Sequence, residues 1–378
     1  MKKLVVEEIE KLPSYVPGKP IEEVQREYGI SDVIKLASNE NPLGPSPKAI
    51  AAITSSLSHL NRYPDSGGYY LKKKLAAKRN VKMENIILGN GSDEVLQMIV
   101  RTFLFPGEEV IMGTPTFAFY EIVVGTARGR AFLVPLKNFA YDLDLMRKKV
   151  TPATKIVIIT NPNSPTGTMI GKRAFDGFLN AIPDDVIVVV DEAYAEYVQS
   201  DDFPDTRSYL NAGKNMIILR TFSKIYGLAG LRIGYGISSG KLISYLGKTR
   251  EPFNTSSLAQ AGALAALDDE EHVEKTRRNN REGMRYLYGE LGRLGLEYLP
   301  TGANFFLVNV KKDCQRVHQA LLGKGVIIRP MDSYGLDEYI RVTVGLPEEN
   351  KRFIQALEKV INRRVQGFKG SRVQGNAE

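Results

Sequence analysis

Two residues near the ends of apolar runs have the types needed for chemistry on a carbonyl group. Lys224 follows the run MIILRTFS and precedes the glycine-rich turn Gly227–Gly230. A lysine at the carboxyl end of a central strand lies where α/β sheets bind ligands, and partial burial makes its amine a nucleophile for Schiff-base formation. Asp191 ends the run VIVVVD, and a buried carboxylate needs a charged or protonated partner. Each alone fits an ordinary loop lysine or a capping aspartate, but their placement on two strands of one sheet favours a shared site.

A third segment has the pattern of an anion site. In NIILGNGSDEVLQM, a strand leads into the turn Gly89–Gly91, and Ser92 and Asp93 then open an amphipathic helix. The free N–H groups and the dipole of a helix start attract a phosphate, although a capped helix without a ligand fits equally well. The segment also half-matches a dinucleotide fingerprint, but Glu94 follows where that pattern needs its third glycine. A nucleotide-binding dehydrogenase is therefore the disfavoured alternative.

A fourth segment, NPNSPTGT, follows the strand-like run KIVIIT. Its two prolines and one glycine predict a sharp turn that holds Asn163 and Ser164 over the edge of the sheet. Taken alone, such a turn has no functional meaning.

Composition excludes several classes of protein. The chain has 378 residues, of which 43% are hydrophobic and 25% charged, which is typical of globular proteins and not of collagen-like or disordered chains. The single cysteine, Cys314, excludes an intrachain disulfide, and three scattered histidines (His59, His272 and His318) predict no metal site.

Charge and hydropathy bear on partners and location. The net charge of +8 is compatible with nucleic acid or with small anions, but Lys and Arg are spread along the chain, so we expect no nucleic-acid partner. No apolar run reaches the roughly 18 residues of a membrane helix, so we expect no membrane association and a cytoplasmic protein.

The elements that position these residues follow from hydrophobic patterning. Short β-branched runs alternate with helical patterns, which predicts an α/β fold with a mostly parallel sheet sandwiched by helices. The predicted strands are 86–88, 110–112, 131–135, 156–160, 186–191, 216–221 and 231–237.

A long helical stretch after Ser256 leads into a second, smaller α/β unit. The pattern there predicts, in order, a strand, a helix, two strands and a helix at 304–310, 314–324, 326–329, 339–344 and 348–364. We therefore divide the chain into an N-terminal arm that is also part of the small domain (1–45), a large α/β domain (46–275), a small C-terminal α/β domain (276–365) and a flexible tail (366–378).

The motifs, taken together and in order, resemble a known family. SNENP, RYPD, GNGSDE, TPTFAFY, NPNSPTG, DEAY, TFSK, GLAGLRIGY and YIRVTVG span nearly the whole chain. This series resembles the fold-type-I, class I/II aminotransferases, which depend on pyridoxal 5′-phosphate. YVPGKP, IIRP and the overall length are similar to the histidinol-phosphate branch of that family.

The resemblance implies roles around the cofactor's ring. Lys224 would be the Schiff-base lysine, Asp191 the partner of the pyridinium nitrogen, and Tyr194 a hydrogen-bond donor to the 3-oxygen. Phe117 stands where family members often have a tyrosine stacked on the ring, so stacking is kept without the hydroxyl. Ser164 stands where the family usually has the asparagine that binds the 3-oxygen.

Either Ser164 makes that contact with the 3-oxygen, or Asn163 shifts into it. For the cofactor's phosphate, the resemblance implies a set of hydrogen-bond donors that includes one residue of a second subunit. These are the backbone of Ser92 and Asp93, the side chains of Ser223 and Arg232, and Tyr63 from the other subunit of a homodimer.

Substrate recognition is expected to involve the small C-terminal unit. In YIRVTVG, Arg341 alternates with apolar neighbours and so faces the opposite side of its strand from them. The resemblance implies that Arg341, Arg329 and Tyr15 hold the substrate's phosphate, and that Asn39 of SNENP also binds substrate. Two guanidinium groups suit a dianion.

The resemblance thus implies a homodimeric enzyme with shared active sites. It would interconvert histidinol phosphate plus 2-oxoglutarate with imidazole acetol phosphate plus glutamate, a step of histidine biosynthesis. An aromatic amino-acid transaminase on the same scaffold is the first alternative. A pyridoxal-phosphate-dependent decarboxylase of a phosphorylated amino acid is the second.

Overall fold

The computed structural model describes residues 4–362, so the tail predicted at 366–378 lies outside the described residues. The strands, in chain order, are β1 (Ile34–Lys35), β2 (Ile86–Gly89), β3 (Glu109–Thr114), β4 (Arg130–Pro135), β5 (Thr154–Thr160), β6 (Ile187–Asp191), β7 (Met216–Thr221), β8 (Gly234–Ile237), β9 (Glu297–Tyr298), β10 (Phe305–Asn309), β11 (Val326–Ile327), β12 (Arg329–Pro330) and β13 (Tyr339–Thr343).

Helices connect and flank these strands. In chain order they are α1 (Glu7–Glu10), α2 (Ile21–Tyr28), α3 (Pro47–Ser56), α4 (Tyr69–Arg79), α5 (Gly91–Phe103), α6 (Phe119–Thr126), α7 (Leu143–Lys148), α8 (Lys172–Ala181), α9 (Thr206–Asn211), α10 (Gly240–Thr249), α11 (Ser257–Ala266), α12 (Glu270–Arg293), α13 (Cys314–Leu322) and α14 (Pro347–Ile361). Among the described residues, none of these helices has the length and apolar character needed to cross a membrane.

Seven strands form the large sheet in the order β2-β8-β7-β6-β5-β3-β4. The pairs from β7 to β4 are parallel, whereas β8 runs antiparallel to both of its neighbours. The predicted mostly parallel α/β sheet is therefore confirmed.

Helices cover both faces of this sheet, and β6 shows why. Successive side chains of a strand point to opposite faces. Val188 and Val190 pack in the core that contains residues of α4, α8 and α11, whereas Ile187 and Val189 pack in the core that contains residues of α5, α6 and α10. An all-apolar strand thus reports burial on both sides.

A second sheet has the order β12-β13-β10-β9, with antiparallel pairing throughout. Its apolar face packs against side chains of α12, α13 and α14. The N-terminal segment joins this region, because β1 pairs in parallel with β11, and Val24 of α2 packs against Leu322 and Ile327. The domain limits at residues 45, 275 and 365 stay predictions.

Three local expectations differ from the structure. The strand predicted at 326–329 is two strands, because the chain leaves the pairing with β1 after Ile327 and joins β13 at Arg329. The helical stretch after Ser256 breaks at residues 267–269, where the Asp269 carboxylate accepts the His272 N–H and starts α12. The N-terminal arm contains α2, which its prolines concealed: Pro20 lies directly before the helix and does not interrupt it.

Candidate active site

One cavity opens at the carboxyl ends of β5, β6 and β7, where open α/β sheets bind ligands. It collects thirteen of the side chains predicted from the sequence. These are Tyr15, Asn39, Ser92, Asp93, Phe117, Ser164, Asp191, Tyr194, Ser223, Lys224, Arg232, Arg329 and Arg341.

Asp191 is the buried anion of this cavity, with 7% of its surface exposed. Its Oδ2 accepts a hydrogen bond from the Tyr120 phenol at 2.8 Å, and its Oδ1 accepts the Ala193 N–H at 3.0 Å. Burial raises the pKa of Asp191 from 3.8 to about 6, while these two donors oppose the rise. The carboxyl is therefore mostly ionised at neutral pH.

Lys224 lies three residues after the end of β7 and lines the same cavity. Its Nζ donates to the Ser38 carbonyl at 3.3 Å and lies 5.6 Å from the centre of the Tyr194 ring. The Tyr194 phenol oxygen accepts a hydrogen bond from Asn39 Nδ2 at 2.9 Å, which leaves its own proton for a ligand. Asn39 is in turn held by Thr343, whose hydroxyl donates to Asn39 Oδ1 at 3.1 Å.

The start of α5 lies beside Arg232 in the cavity lining. The Arg232 Nη2 donates to Asp93 Oδ2 at 2.9 Å, and its Nη1 approaches Ser223 Oγ at 3.4 Å. Gly91 has a φ of +79°, and a Cβ there would lie 2.7 Å from Arg232 Nη2. A Cβ on Gly234 would lie 2.4 Å from the Ser92 nitrogen. Both glycines are needed because backbone and guanidinium approach so closely.

Arg329 and Arg341 also line the cavity. They are directly opposite each other in the β12–β13 pair, so both belong to one face of that sheet. The Arg341 guanidinium lies 5.2 Å from the centre of the Phe305 ring and donates through Nη2 to the Ala37 carbonyl at 2.8 Å. Its Nε is buried and has no partner within the described residues.

The N-terminal segment contacts Arg329 and the aromatic residues of the cavity lining. Arg329 Nη2 donates to the Val16 carbonyl at 3.0 Å, and the neighbouring Tyr15 ring packs edge-on against Phe117, with centroids 6.1 Å apart. Phe117 is half-buried and also packs edge-on against Tyr120, at 5.5 Å. Aromatic side chains from two distant parts of the chain therefore line the same wall.

Two of the predicted site residues do not line the cavity. Asn163 is fully buried behind it, where Oδ1 accepts hydrogen bonds from Thr116 and Tyr141 at 3.0 and 3.1 Å. Its neighbour Ser164 does reach the cavity. Tyr63 is 81% exposed and stacks on Phe253, with centroids 4.6 Å apart.

Some lining residues were missed by the sequence reasoning, notably Tyr120, Thr160 and Tyr334. Tyr120 carried a usable signal, because it follows Phe117 at a spacing that places both on one side of a helical turn. Tyr334 carried none, since it lies on a short 3-10 turn whose position depends on how β12 and β13 pair.

Comparisons with known proteins agree with this geometry. The family model for aminotransferase class I and II matches residues 31–357. The histidinol-phosphate aminotransferase of Moorella thermoacetica is 52% identical over 356 residues, which cover 94% of this chain and 92% of the relative. Histidinol-phosphate aminotransferase 2 of Carboxydothermus hydrogenoformans is 47% identical over 359 residues, covering 95% and 99%.

Solved structures show the same fold. The crystal structure of histidinol-phosphate aminotransferase from Sinorhizobium meliloti in complex with pyridoxal-5′-phosphate superposes with a TM-score of 0.86 at 28% identity, covering 96% of this chain and 98% of that one. Aspartate aminotransferase from Thermus thermophilus with maleate gives 0.82 at 23% identity, covering 95% and 100%. The chain therefore belongs to the class I and II aminotransferases.

Proposed function

We propose that this chain is a pyridoxal-phosphate-dependent histidinol-phosphate aminotransferase. It interconverts histidinol phosphate plus 2-oxoglutarate with imidazole acetol phosphate plus glutamate, a step of histidine biosynthesis. The observation that carries the proposal is a single cavity that is lined by Lys224 and Asp191 and also by the paired Arg329 and Arg341. The relatives at 52% and 47% identity bear that enzyme's name.

The donor set suits the cofactor's phosphate. The first N–H groups of α5, at Ser92 and Asp93, have no partners in their own helix, and Ser223 and Arg232 add a hydroxyl and a guanidinium. Gly91 has no side chain to block this position, and Arg232 approaches its backbone closely. We assign the phosphate to this cradle.

The opposite group of side chains suits the cofactor's ring. Asp191 offers an anion for the ring nitrogen, and Tyr194 has a phenol proton for the 3-oxygen. Phe117 supplies an aromatic face. Ser164 reaches the cavity whereas the polar atoms of Asn163 are used elsewhere, so we assign the second contact to the 3-oxygen to Ser164.

When bound, pyridoxal phosphate supplies the electron sink for transamination. Asp191 keeps the ring nitrogen protonated, because an ionised carboxylate raises the proton affinity of a nitrogen beside it. Lys224 Nζ, held by the Ser38 carbonyl, is the amine that would move a proton from the substrate's α-carbon. Asn39 fixes the Tyr194 phenol by a hydrogen bond, and the phenol would donate its proton to the cofactor's 3-oxygen.

Substrate selection falls to the arginine end of the cavity. A phosphate monoester is nearly dianionic at neutral pH, so it can accept hydrogen bonds from both Arg329 and Arg341. The unpartnered Nε of Arg341 is a donor available for this purpose. Tyr15 and Asn39 complete the wall around this end.

We further propose a homodimer in which each cavity is completed by the partner. Tyr63 lies outside its own cavity and is 81% exposed, although it is a large aromatic residue stacked on another. Exposed apolar neighbours in the same part of the chain extend this surface, namely Leu57, Leu60, Tyr69 and Tyr70. A second copy covering this surface would carry Tyr63 to the phosphate end of the other cavity.

The proposed function is tested by a steady-state assay that detects glutamate formed from 2-oxoglutarate. Histidinol phosphate, phenylalanine and tyrosine are offered as amino donors at equal concentration. We expect histidinol phosphate to give the highest kcat/KM. A preference for phenylalanine or tyrosine would establish the aromatic-transaminase alternative. Carbon dioxide release without glutamate formation, when a phosphorylated amino acid is offered in a parallel assay, would establish the decarboxylase.

A further inference from the structure

Tyr120 is buried at the back of the cavity, beside the carboxylate assigned to the cofactor's ring nitrogen. It lies on α6 with 1% of its surface exposed. Its phenol oxygen is 2.8 Å from Asp191 Oδ2 and 2.8 Å from Thr160 Oγ1. All three residues line the cavity, yet the motifs that identify the family give Tyr120 no role.

The directions of these hydrogen bonds follow from the protons available. An ionised carboxylate only accepts, so the single phenol proton of Tyr120 is donated to Asp191. The Tyr120 oxygen must then accept the hydroxyl proton of Thr160. Two successive donors therefore point toward the anion, and each polarises the next.

Asn163 fixes the far end of this arrangement. Its Oδ1 accepts from Thr116 and from Tyr141, which settles where those two hydroxyl protons lie. The Tyr141 oxygen in turn accepts the Thr160 backbone N–H at 3.2 Å. Thr160 is thus held on its backbone side by a buried side chain. Its hydroxyl oxygen lies 3.4 Å from Thr116 Oγ1 and only 2.8 Å from the Tyr120 oxygen, so the shorter contact is the one with Tyr120. Asn163 supports the site from behind and does not enter it.

We propose that Tyr120 is a positioning residue for Asp191: its phenol holds one carboxylate oxygen in place and stabilises the ionised form that pairs with the cofactor's ring nitrogen. This inference rests on the proposed cofactor function. Without the phenol, the Ala193 N–H is the one remaining hydrogen-bond donor to the Asp191 carboxylate within the described residues. A buried carboxylate with fewer donors is protonated more readily.

The surroundings make this donor important. The pKa of Asp191 is raised to about 6, chiefly by burial; the negative charges of Asp93 on α5 and Glu192 beyond β6 contribute to the rise, whereas the hydrogen bonds from Tyr120 and Ala193 oppose it. Glu192 is itself paired with Arg220 of β7. The other ionisable groups that line the cavity around Asp191 are Tyr15, Glu40, Tyr194, Lys224, Arg232, Arg329, Tyr334 and Arg341.

The test measures how the affinity for pyridoxamine 5′-phosphate depends on pH, using the full-length chain freed of cofactor. This probe lacks the aldehyde, so it cannot link to Lys224 and binds reversibly. Protonated Asp191 must lose its proton to pair with a protonated ring nitrogen, so affinity falls as pH drops through the pKa of Asp191. In Tyr120→Phe, we expect the midpoint of this fall to move upward by about one pH unit, a tenfold change in proton affinity. Affinity at alkaline pH should stay close to that of the wild type.

Tyr235→Phe is the matched control. Tyr235 is equally buried and its phenol accepts a hydrogen bond from Arg79 Nε at 2.9 Å, but it does not line the cavity. We expect it to keep the wild-type midpoint. Thr160→Val should move the midpoint in the same direction as Tyr120→Phe but less far. If Tyr120→Phe does not fold, Thr160→Val alone tests the positioning role.

The outcomes separate this inference from the function on which it rests. An unchanged midpoint in Tyr120→Phe, or in Thr160→Val where only that variant folds, would overturn the positioning role. An equal loss of affinity at every pH would also overturn it, because that result reflects packing alone. A wild-type chain that binds no pyridoxamine phosphate at any pH would overturn the proposed function as well.

Discussion

Arg329 and Arg341 are directly opposite each other on β12 and β13, and both line the cavity that also contains Lys224. Two like charges at such a position repel each other unless an anion lies between them. The two arginines therefore supply paired positive charge, which suits the anionic substrate group proposed for this cavity.

The first prediction concerns this pair. Arg329→Ala should lower kcat/KM for histidinol phosphate by roughly ten- to a hundredfold, because a charge-assisted hydrogen bond contributes about 1.5 to 3 kcal/mol. Phenylalanine carries a single carboxylate and needs one guanidinium, so its kcat/KM should fall much less. Steady-state kinetics with both donors measure the difference.

Two controls make this result specific. Arg316→Ala removes an exposed arginine of α13 and should leave kcat/KM unchanged for both histidinol phosphate and phenylalanine. Arg329 also donates a hydrogen bond to the Val16 carbonyl, but loss of that contact would lower kcat/KM equally for histidinol phosphate and phenylalanine. Equal losses for histidinol phosphate and phenylalanine would therefore argue against phosphate recognition by Arg329.

The second prediction concerns Asp191. Asp191→Asn should lower the transamination rate by more than about tenfold, roughly 1.4 kcal/mol of barrier, while cofactor occupancy falls far less. The amide cannot keep the ring nitrogen protonated. A smaller loss of rate would show that Asp191 has another role.

Asp191→Asn should lower the transamination rate but raise the stability of the cofactor-free chain. The folded-state pKa of Asp191, about 6, lies above its ordinary value of 3.8, so the folded chain binds the proton more tightly. The buried anion therefore destabilises the cofactor-free fold: the cost develops as pH rises from about 3.8 to about 6 and is fully present above that, and Asp191→Asn removes it. Thermal unfolding without cofactor should give a higher Tm for Asp191→Asn at pH 8, with the gain shrinking as pH falls through about 6. A Tm gain that does not vary with pH would contradict the assignment.

The third prediction concerns the phosphate cradle. Gly91→Ala should raise the Kd for pyridoxal phosphate by about tenfold or more, about 1.4 kcal/mol, because its Cβ would meet Arg232 and its φ of +79° disfavours a side chain. Gly177→Ala is the control, since a Cβ there meets nothing within 4 Å on the exposed face of α8. It should leave cofactor affinity unchanged. If Gly91→Ala bound pyridoxal phosphate with wild-type affinity, the assignment of the phosphate to the start of α5 would be wrong.

The fourth prediction concerns the homodimer. Tyr63→Ala and Lys224→Ala chains should each be nearly inactive, yet mixing them under conditions of subunit exchange should restore part of the activity. A hybrid dimer with shared sites regenerates one cavity that has both residues intact. If activity does not recover after subunit exchange has been demonstrated, Tyr63 contributes to the cavity of its own chain or to no cavity.

Much of the fold and the site was predictable, because the decisive signals are local. The apolar run of β6 predicted burial on both faces of the sheet; Asp191 ends that strand, and Lys224 lies three residues after the end of β7. The glycine-rich start of α5 likewise carries its own pattern. Where a residue's role follows from its own element, the sequence is enough.

The remaining features depend on contacts between distant segments. Ser164 and Asn163 are adjacent in one turn, and only the packing of Thr116 and Tyr141 behind it shows which of the two reaches the cavity. The split of 326–329 into two strands depends on β1, which comes from the other end of the chain. Tyr120 needed the observation that its phenol meets Asp191 across two elements.

The central claim is that Lys224 carries out transamination of histidinol phosphate in this cavity, and half-reaction absorbance spectra test it most directly. Wild type loaded with pyridoxal phosphate is mixed with histidinol phosphate, phenylalanine or glutamate at equal concentration. We predict complete and rapid conversion of the cofactor to its amine form with histidinol phosphate, slower conversion with phenylalanine, and no conversion by Lys224→Ala although it still binds cofactor, because its proton-transfer group is lost. Conversion by Lys224→Ala at a near wild-type rate, or a wild type that converts with phenylalanine but not with histidinol phosphate, would contradict the account.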